Sequence, residues 1–274
     1  AAAFGVDPAR TFGFWDWVGG RFSVSSAIGL PVMLAIGPDA FDELLAGMRA
    51  MDEHTITAPL ARNLPVLLAL TDVWNADLEE MASRAVIPYA SDLARFPAFL
   101  QQLEMESNGK SVTVDGRPVS VPTAPIVWGA PGTDAQHAFL QLLHQGTVVA
   151  PVDFVVVARA HTPLGDHQDV LVANAIAQAE ALAIGRFAAE VAADGVAPDL
   201  VPHRVFAGDR PSTILMVDAL TPSTLGALIA LHEHRVAAAG AIWGIDSFDQ
   251  WGVELGKVLA GSILAEVQIG RAHV

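Results

Sequence analysis

The chain has 274 residues, enough for one large α/β domain or two smaller ones, and its 15 Lys and Arg against 30 Asp and Glu leave a formal net charge of −15. That charge disfavours nucleic acid and anionic lipid as partners, so a small anionic substrate would need a local pocket of positive charge. With no cysteine, disulfides, zinc-cysteine sites and thiol nucleophiles are excluded and a cytoplasmic location is expected; no apolar run reaches the roughly 18 residues of a membrane span.

In chain order, "AAAFGVDPARTFGFWDWVGG" (1–20) has neither the basic start nor the long apolar stretch of a signal peptide and lacks an initiator Met, so it reads as a cut into a continuing chain. In "DWVGGRFSVSSAIGL" (16–30), Gly19, Gly20 and Arg21 precede a Ser-rich helix start, where backbone N–H groups and a guanidinium can converge on an anion. Helical periodicity follows in 39–54 and 59–74. "QQLEMESNGK" (101–110) closes an apolar helix with Gln102, Glu104, Glu106, Ser107 and Asn108, and Gly109 suits a helix C-terminus. Residues 105–125 read as a turn or small hairpin with "VDGRPV" at its tip.

Three short, branched apolar runs bounded by Gly or Pro read as strands: 124–132, 152–160 and 212–220. Between and after them, 134–146, 170–193 and 221–244 carry the helical period, with His137 and His144 seven apart and therefore expected on one helix face. In 247–260, Gln250, Glu254 and Lys257 fall at i, i+4 and i+7, so one helix face is expected to present an amide, a carboxylate and an ammonium; a solvated ion pair explains Glu254 and Lys257 equally well. The closing "IGRAHV" (269–274) reads as translated adapter sequence and stays outside fold reasoning. Buried strands alternating with helices predict a layered α/β fold with a largely parallel sheet.

The blocks "VGGRFSVSSAIG", "MESNGK", "PGTDAQHAFLQLLHQGT", "LIALHEHRV" and "FDQWGVELGK" stand in the order found in the glucose-6-phosphate isomerase (phosphoglucose isomerase) family, and the chain resembles the C-terminal half of those enzymes. The resemblance implies a sugar-isomerase (SIS) fold, an α-β-α sandwich. It also implies residues 1–37 as the end of a first sugar-isomerase domain, 38–258 as the second such domain, and 259–274 as a truncated C-terminal helix. It implies interconversion of glucose 6-phosphate and fructose 6-phosphate through ring opening and a cis-enediol, with no metal or organic cofactor. By the same resemblance Glu106 is the base and Arg21 stabilises the enediolate. His137 acts in ring opening from the neighbouring subunit of a homodimer, and Lys257 assists at the ring oxygen. Gln102, Gln250 and Gly20 contact substrate, and Glu233 is structural support.

Ala130 stands where the family usually has Glu, and Asp134-Ala135 where it usually has Asn-Gly; both changes surround His137. The stretch 71–89 is also more acidic than its family counterpart, and nothing matches the family's Ser/Thr-rich phosphate loop. The chain alone is therefore expected to be weakly active or inactive, because binding energy from a remote phosphate normally holds the reacting carbons in place. A non-catalytic sugar-phosphate-binding module is the alternative reading.

Overall fold

The computed structural model describes the backbone of residues 2–272 and the side chains of 3–264, 267 and 268; of the closing "IGRAHV", residues 273 and 274 lie outside the described residues. Four strands, β1 (Ser83–Tyr89), β2 (Ile126–Gly129), β3 (Val152–Arg159) and β4 (Ser212–Ala219), form one parallel sheet in the order β2-β1-β3-β4. The helices are α1 (Leu30–Ile36), α2 (Pro38–Thr57), α3 (Leu64–Val73), α4 (Phe96–Gln101), α5 (Gly132–Ala138), α6 (Leu140–Gln145), α7 (His167–Ile184), α8 (Ala188–Ala193), α9 (Pro222–Trp243) and α10 (Glu254–Ala272).

Strands β1 and β3 are covered on both faces, as their continuous apolar runs require, whereas edge strand β4 leaves Ile214 and Met216 exposed. Ala85, Ile87, Tyr89, Val152, Phe154 and Val156 pack on one side against Ala135, Leu140, Leu143, Ala175, Ala179 and Leu182 of α5, α6 and α7. On the other side Val86, Val127 and Val155 meet Leu68 of α3, Phe96 and Leu100 of α4, and Leu228, Leu231 and Val236 of α9. The expected α-β-α sandwich is present.

The sequence pattern announces β2, β3 and β4 but not β1, which lies at the centre of the sheet. "SRAVIPY" carries Arg84 and Pro88, both unlike a buried strand. Pro88 is tolerated for a geometric reason. The Ala85 N–H bonds Pro151 on the β3 side, so alternation turns residue 88 towards β2, and β2 ends at Gly129 opposite Val86. No ladder bond is lost.

Two expected helices are each broken in two. Phe139 (φ −143°, ψ 0°) separates α5 from α6, so His137 and His144 do not share a face. His137 is exposed, whereas His144 is buried, its Nε2 2.7 Å from Gln178 Oε1. Gly185 ends α7 at φ +72°, and a Cβ there would lie 2.4 Å from the Phe206 carbonyl oxygen, so the 170–193 run splits into α7 and α8. The hairpin expected over 105–125 is present in small form. Val112 and Pro118 make an antiparallel bridge, and Gly116 adopts φ +75° at the turn.

Helices α2 and α9 cross closely at Gly47 and Gly226, where any Cβ would collide with backbone of the facing helix. Further along α9, Glu233 is mostly buried with Oε1 unpartnered, while neighbouring His234 places Nε2 2.7 Å from Asp52 Oδ1 on α2. Burial, reinforced by the negative charge of Asp52, pushes the Glu233 carboxyl up to about 7. A carboxyl raised on folding binds a proton more tightly in the native state, so its contribution is present at low pH and is lost as pH rises from the unfolded value near 4.5 through about 7. Glu233→Gln, which mimics the protonated form, is expected to match the parent near pH 4 and to be more stable by about 2–3 kcal/mol at pH 8. Urea denaturation at the two pH values checks this, and equal midpoints at pH 8 would contradict it.

Candidate active site

The helix that begins as α4 continues into a wider π turn, Gln102–Glu106, a form that often marks a functional site. The turn faces two environments. Leu103 and Glu104 point into the molecule and are buried, whereas Glu106 reaches a cleft and keeps 22% of its side-chain surface. Beyond it, Ser107 and Asn108 turn inward. Asn108 Nδ2 donates to the Val236 carbonyl (2.9 Å) and its Oδ1 accepts from Ser247 Oγ (2.6 Å). Gly109 closes the helix with its N–H on the Met105 carbonyl, as its position in the sequence predicts.

Beneath the turn lies a set of buried charges. Arg84 of β1 bonds Asp72 of α3 and Glu104 of the π turn, and its Nε lies 3.2 Å from Asp153 Oδ2 of β3. Arg235 of α9 donates Nε and Nη2 to Asp72 (2.6 Å each) and Nη1 to Asp153 (2.7 Å). Burial pushes Asp72 and Asp153 up, but Arg235 and Arg84 outweigh it and hold both carboxyls below the usual range. For Glu104 burial wins over Arg84 and Arg235, and its carboxyl is raised. His232, fully buried beside Glu104 at 3.8 Å, is pushed well down by burial and by the two guanidiniums. Part of the acidity of 71–89 is thus accounted for: Asp72 belongs to this cluster, and Asp77 accepts from Trp243 Nε1 (3.1 Å).

The cleft above the turn has a volume of about 720 Å³ and is lined by Met105, Glu106 and Lys110 on one side and by Asp246, Asp249, Gln250 and Trp251 on another. Arg21, 5% exposed, reaches the wall of this cleft from the short helical turn Gly20–Phe22. Nε donates to Ser107 Oγ (2.6 Å), and Nη2 donates to the carbonyls of Ser247 (2.8 Å) and Asp249 (3.1 Å). Nη1 donates to Gln250 Oε1 (3.0 Å) and lies 3.3 Å from Glu106 Oε2. Gln102 Nε2 donates to the same carboxylate oxygen at 3.2 Å. Two backbone carbonyls fix Nη2 and buried Ser107 fixes Nε, whereas Nη1 meets two side chains that line the cleft, Gln250 and Glu106.

Of the residues singled out from the sequence, Arg21, Glu106, Gln102 and Gln250 therefore come together, with Gly20 next to Arg21. Gln250 reaches the site from an irregular segment before α10 (φ −154°, ψ 42°), so the expected helix face of Gln250, Glu254 and Lys257 does not exist. Lys257 stands exposed on α10 with Nζ 2.9 Å from Glu254 Oε1, and His137 stands exposed on α5; neither lines the Glu106 cleft. Neither Gly19 nor Gly20 has a positive φ, and Gly20 has open space around its Cα. Ala135 fits fully buried in the core beneath α5, and Asp134 is exposed in the first turn of that helix. Sequence reasoning passed over Lys110, Asp249 and Ser247, although all three lie within or beside the quoted blocks; a Lys just after a helix-ending Gly is the signal for Lys110.

The molecule is thus an α/β layered protein whose open cleft holds a carboxylate beside a buried arginine. Residues 1–273 match the family model for phosphoglucose isomerase, and the chain belongs to that family. It is 60% identical to the glucose-6-phosphate isomerase of Frankia casuarinae and 61% identical to that of Xanthobacter autotrophicus, covering 97% and 98% of this chain but 49% and 51% of those proteins. The crystal structure of a glucose-6-phosphate isomerase from Chlamydia trachomatis superposes with a TM-score of 0.86 at 42% identity, over 94% of this chain and 49% of that one. The chain thus spans about half the length of the curated relatives it matches.

Arg235→Met leaves Asp72 and Asp153 buried with a single shared guanidinium, and is expected to cost about 3–5 kcal/mol in urea denaturation at pH 7. Both aspartates have folded values below the unfolded one near 3.8, so the cluster stabilises above that pH and its contribution is lost as pH falls. The acid limb of the stability profile should flatten in the variant. An unchanged midpoint and limb would contradict this account.

Proposed function

We propose that this chain forms the C-terminal half of a glucose-6-phosphate isomerase acting in glycolysis and gluconeogenesis. The observation that carries the reading is the Glu106 carboxylate, open to a cleft of about 720 Å³ and 3.3 Å from an arginine whose other donors are all fixed. Glu106 takes the proton from C2 of the open-chain aldose; the C2–H electron pair forms the C1–C2 double bond, and the carbonyl π pair moves onto the C1 oxygen. That developing charge takes a place on Arg21 Nη1, a donor already oriented before reaction. After the O2 proton passes to the C1 oxygen, Glu106 returns its proton to C1 and the ketose forms.

In this reading Gln102, Gln250 and Gly20 hold the sugar phosphate. His137, exposed on α5, opens the ring of a substrate bound to the neighbouring subunit of a homodimer, and Lys257 assists at the ring oxygen once its helix is packed. Residues 1–37 close the first sugar-isomerase domain, 38–258 form the second, and 259–274 begin a C-terminal helix. The enzyme works in the cytoplasm with no cofactor, and the half chain alone turns over weakly or not at all.

The test is exchange of the C2 proton of the sugar phosphate with deuterated water, measured by NMR on the full-length protein. Glu106→Gln should lower exchange by about 10²–10⁴-fold while binding persists. Exchange that survives the substitution would remove Glu106 from its role, and binding with no exchange in the unsubstituted protein would establish a sugar-phosphate-binding module instead.

A further inference from the structure

Lys110 follows Gly109 at the end of the helix that carries Glu106, and its ammonium is engaged on every side. Nζ donates to the carbonyls of Glu106 (3.1 Å) and Ser107 (2.7 Å), and across the cleft to the carbonyl of Asp249 (2.9 Å); Asp249 Oδ1 lies 3.0 Å away. An ammonium has three hydrogens, and here the carbonyls of Glu106, Ser107 and Asp249 take all three, with Asp249 Oδ1 beside them as a counter-charge and the Lys110 side chain only 16% exposed. Lys110 therefore has no donor left for a substrate.

What it does have is one set of bonds on each of two segments. Glu106 and Ser107 end the π turn, where the last carbonyls of a helix lack intrahelical partners and a cation is favoured. Asp249 belongs to the irregular 247–250 stretch, and its carbonyl is shared between Lys110 and Arg21 Nη2. Gln250, the next residue, is the one that meets Arg21 Nη1.

We propose that Lys110, with Asp249 as its counterion, is a positioning residue that holds the Gln250 segment against the end of the Glu106 helix and so sets the spacing of the groups facing the substrate. Its effect on catalysis rests on the isomerase reading; its effect on the cleft does not. Displacement of a reacting group by about 1 Å is enough to lower turnover by roughly 100-fold.

Hydrogen exchange by mass spectrometry on this chain, parent against Lys110→Met, tests the clamp directly, and kcat and KM for isomerisation by the full-length protein test its consequence. The expected result is exchange over residues 245–253 faster by about tenfold, with β3 as protected as before, and a kcat roughly 10- to 100-fold lower at a KM within about threefold of the parent. Unchanged exchange over 245–253 overturns the clamp, and faster exchange with unchanged kcat overturns its part in catalysis. If the unsubstituted full-length protein shows no isomerisation, the functional reading falls and the exchange result alone decides the clamp. Should Lys110→Met not fold, Asp249→Asn keeps the backbone acceptor and removes only the counter-charge. Exchange over 245–253 about threefold faster then supports the clamp, and no acceleration overturns it.

Discussion

Two guanidinium groups buried between the sheet and its helices hold this molecule's active face in place. Arg84 and Arg235 join α3, β1, the π turn, β3 and α9 through Asp72, Glu104 and Asp153, elements far apart in sequence. Three carboxyls face two guanidiniums here, and only at Glu104 does burial outweigh the cations and raise the carboxyl. Such a cluster is weak as a source of stability, because desolvation offsets most of the attraction. Its effect is geometric: planar, bidentate groups permit few alternative arrangements.

That geometry reaches the cleft through a single turn of helix. Glu104 is fixed from below, and Glu106, two residues on, faces the opening. Asn108 and Ser107 are tied in turn to α9, to Ser247 and to Arg21. The carboxylate at the cleft is therefore carried by a backbone with anchors on both sides of it, which is the condition for a base to act without reorganising.

The opposite wall is made differently. Residues 247–250 have no regular structure, and cations supply the donors that a neighbouring strand would otherwise give. Arg21 and Lys110 both bridge this wall to the Glu106 helix, Arg21 with Nη1 between Gln250 and Glu106 and Lys110 with all its hydrogens engaged in the bridge. His137 and Lys257 are exposed, and neither lines this cleft.

The sequence by itself determined the layered α/β class, because β2, β3 and β4 are short apolar runs and α2 keeps a clear helical period. Its ordered blocks also marked Arg21, Glu106, Gln102 and Gln250 as belonging to one site, although spacing alone placed Gln250 wrongly on a helix. Only the tertiary structure decided that "SRAVIPY" is the central strand, since its Arg84 and Pro88 become acceptable through distant carboxylates and the early end of β2. The breaks at Phe139 and Gly185, the burial of His144 and the bond from Lys110 to the Asp249 carbonyl were settled the same way. Each depends on groups brought close by folding across tens of residues, and local propensity carries no record of such partners.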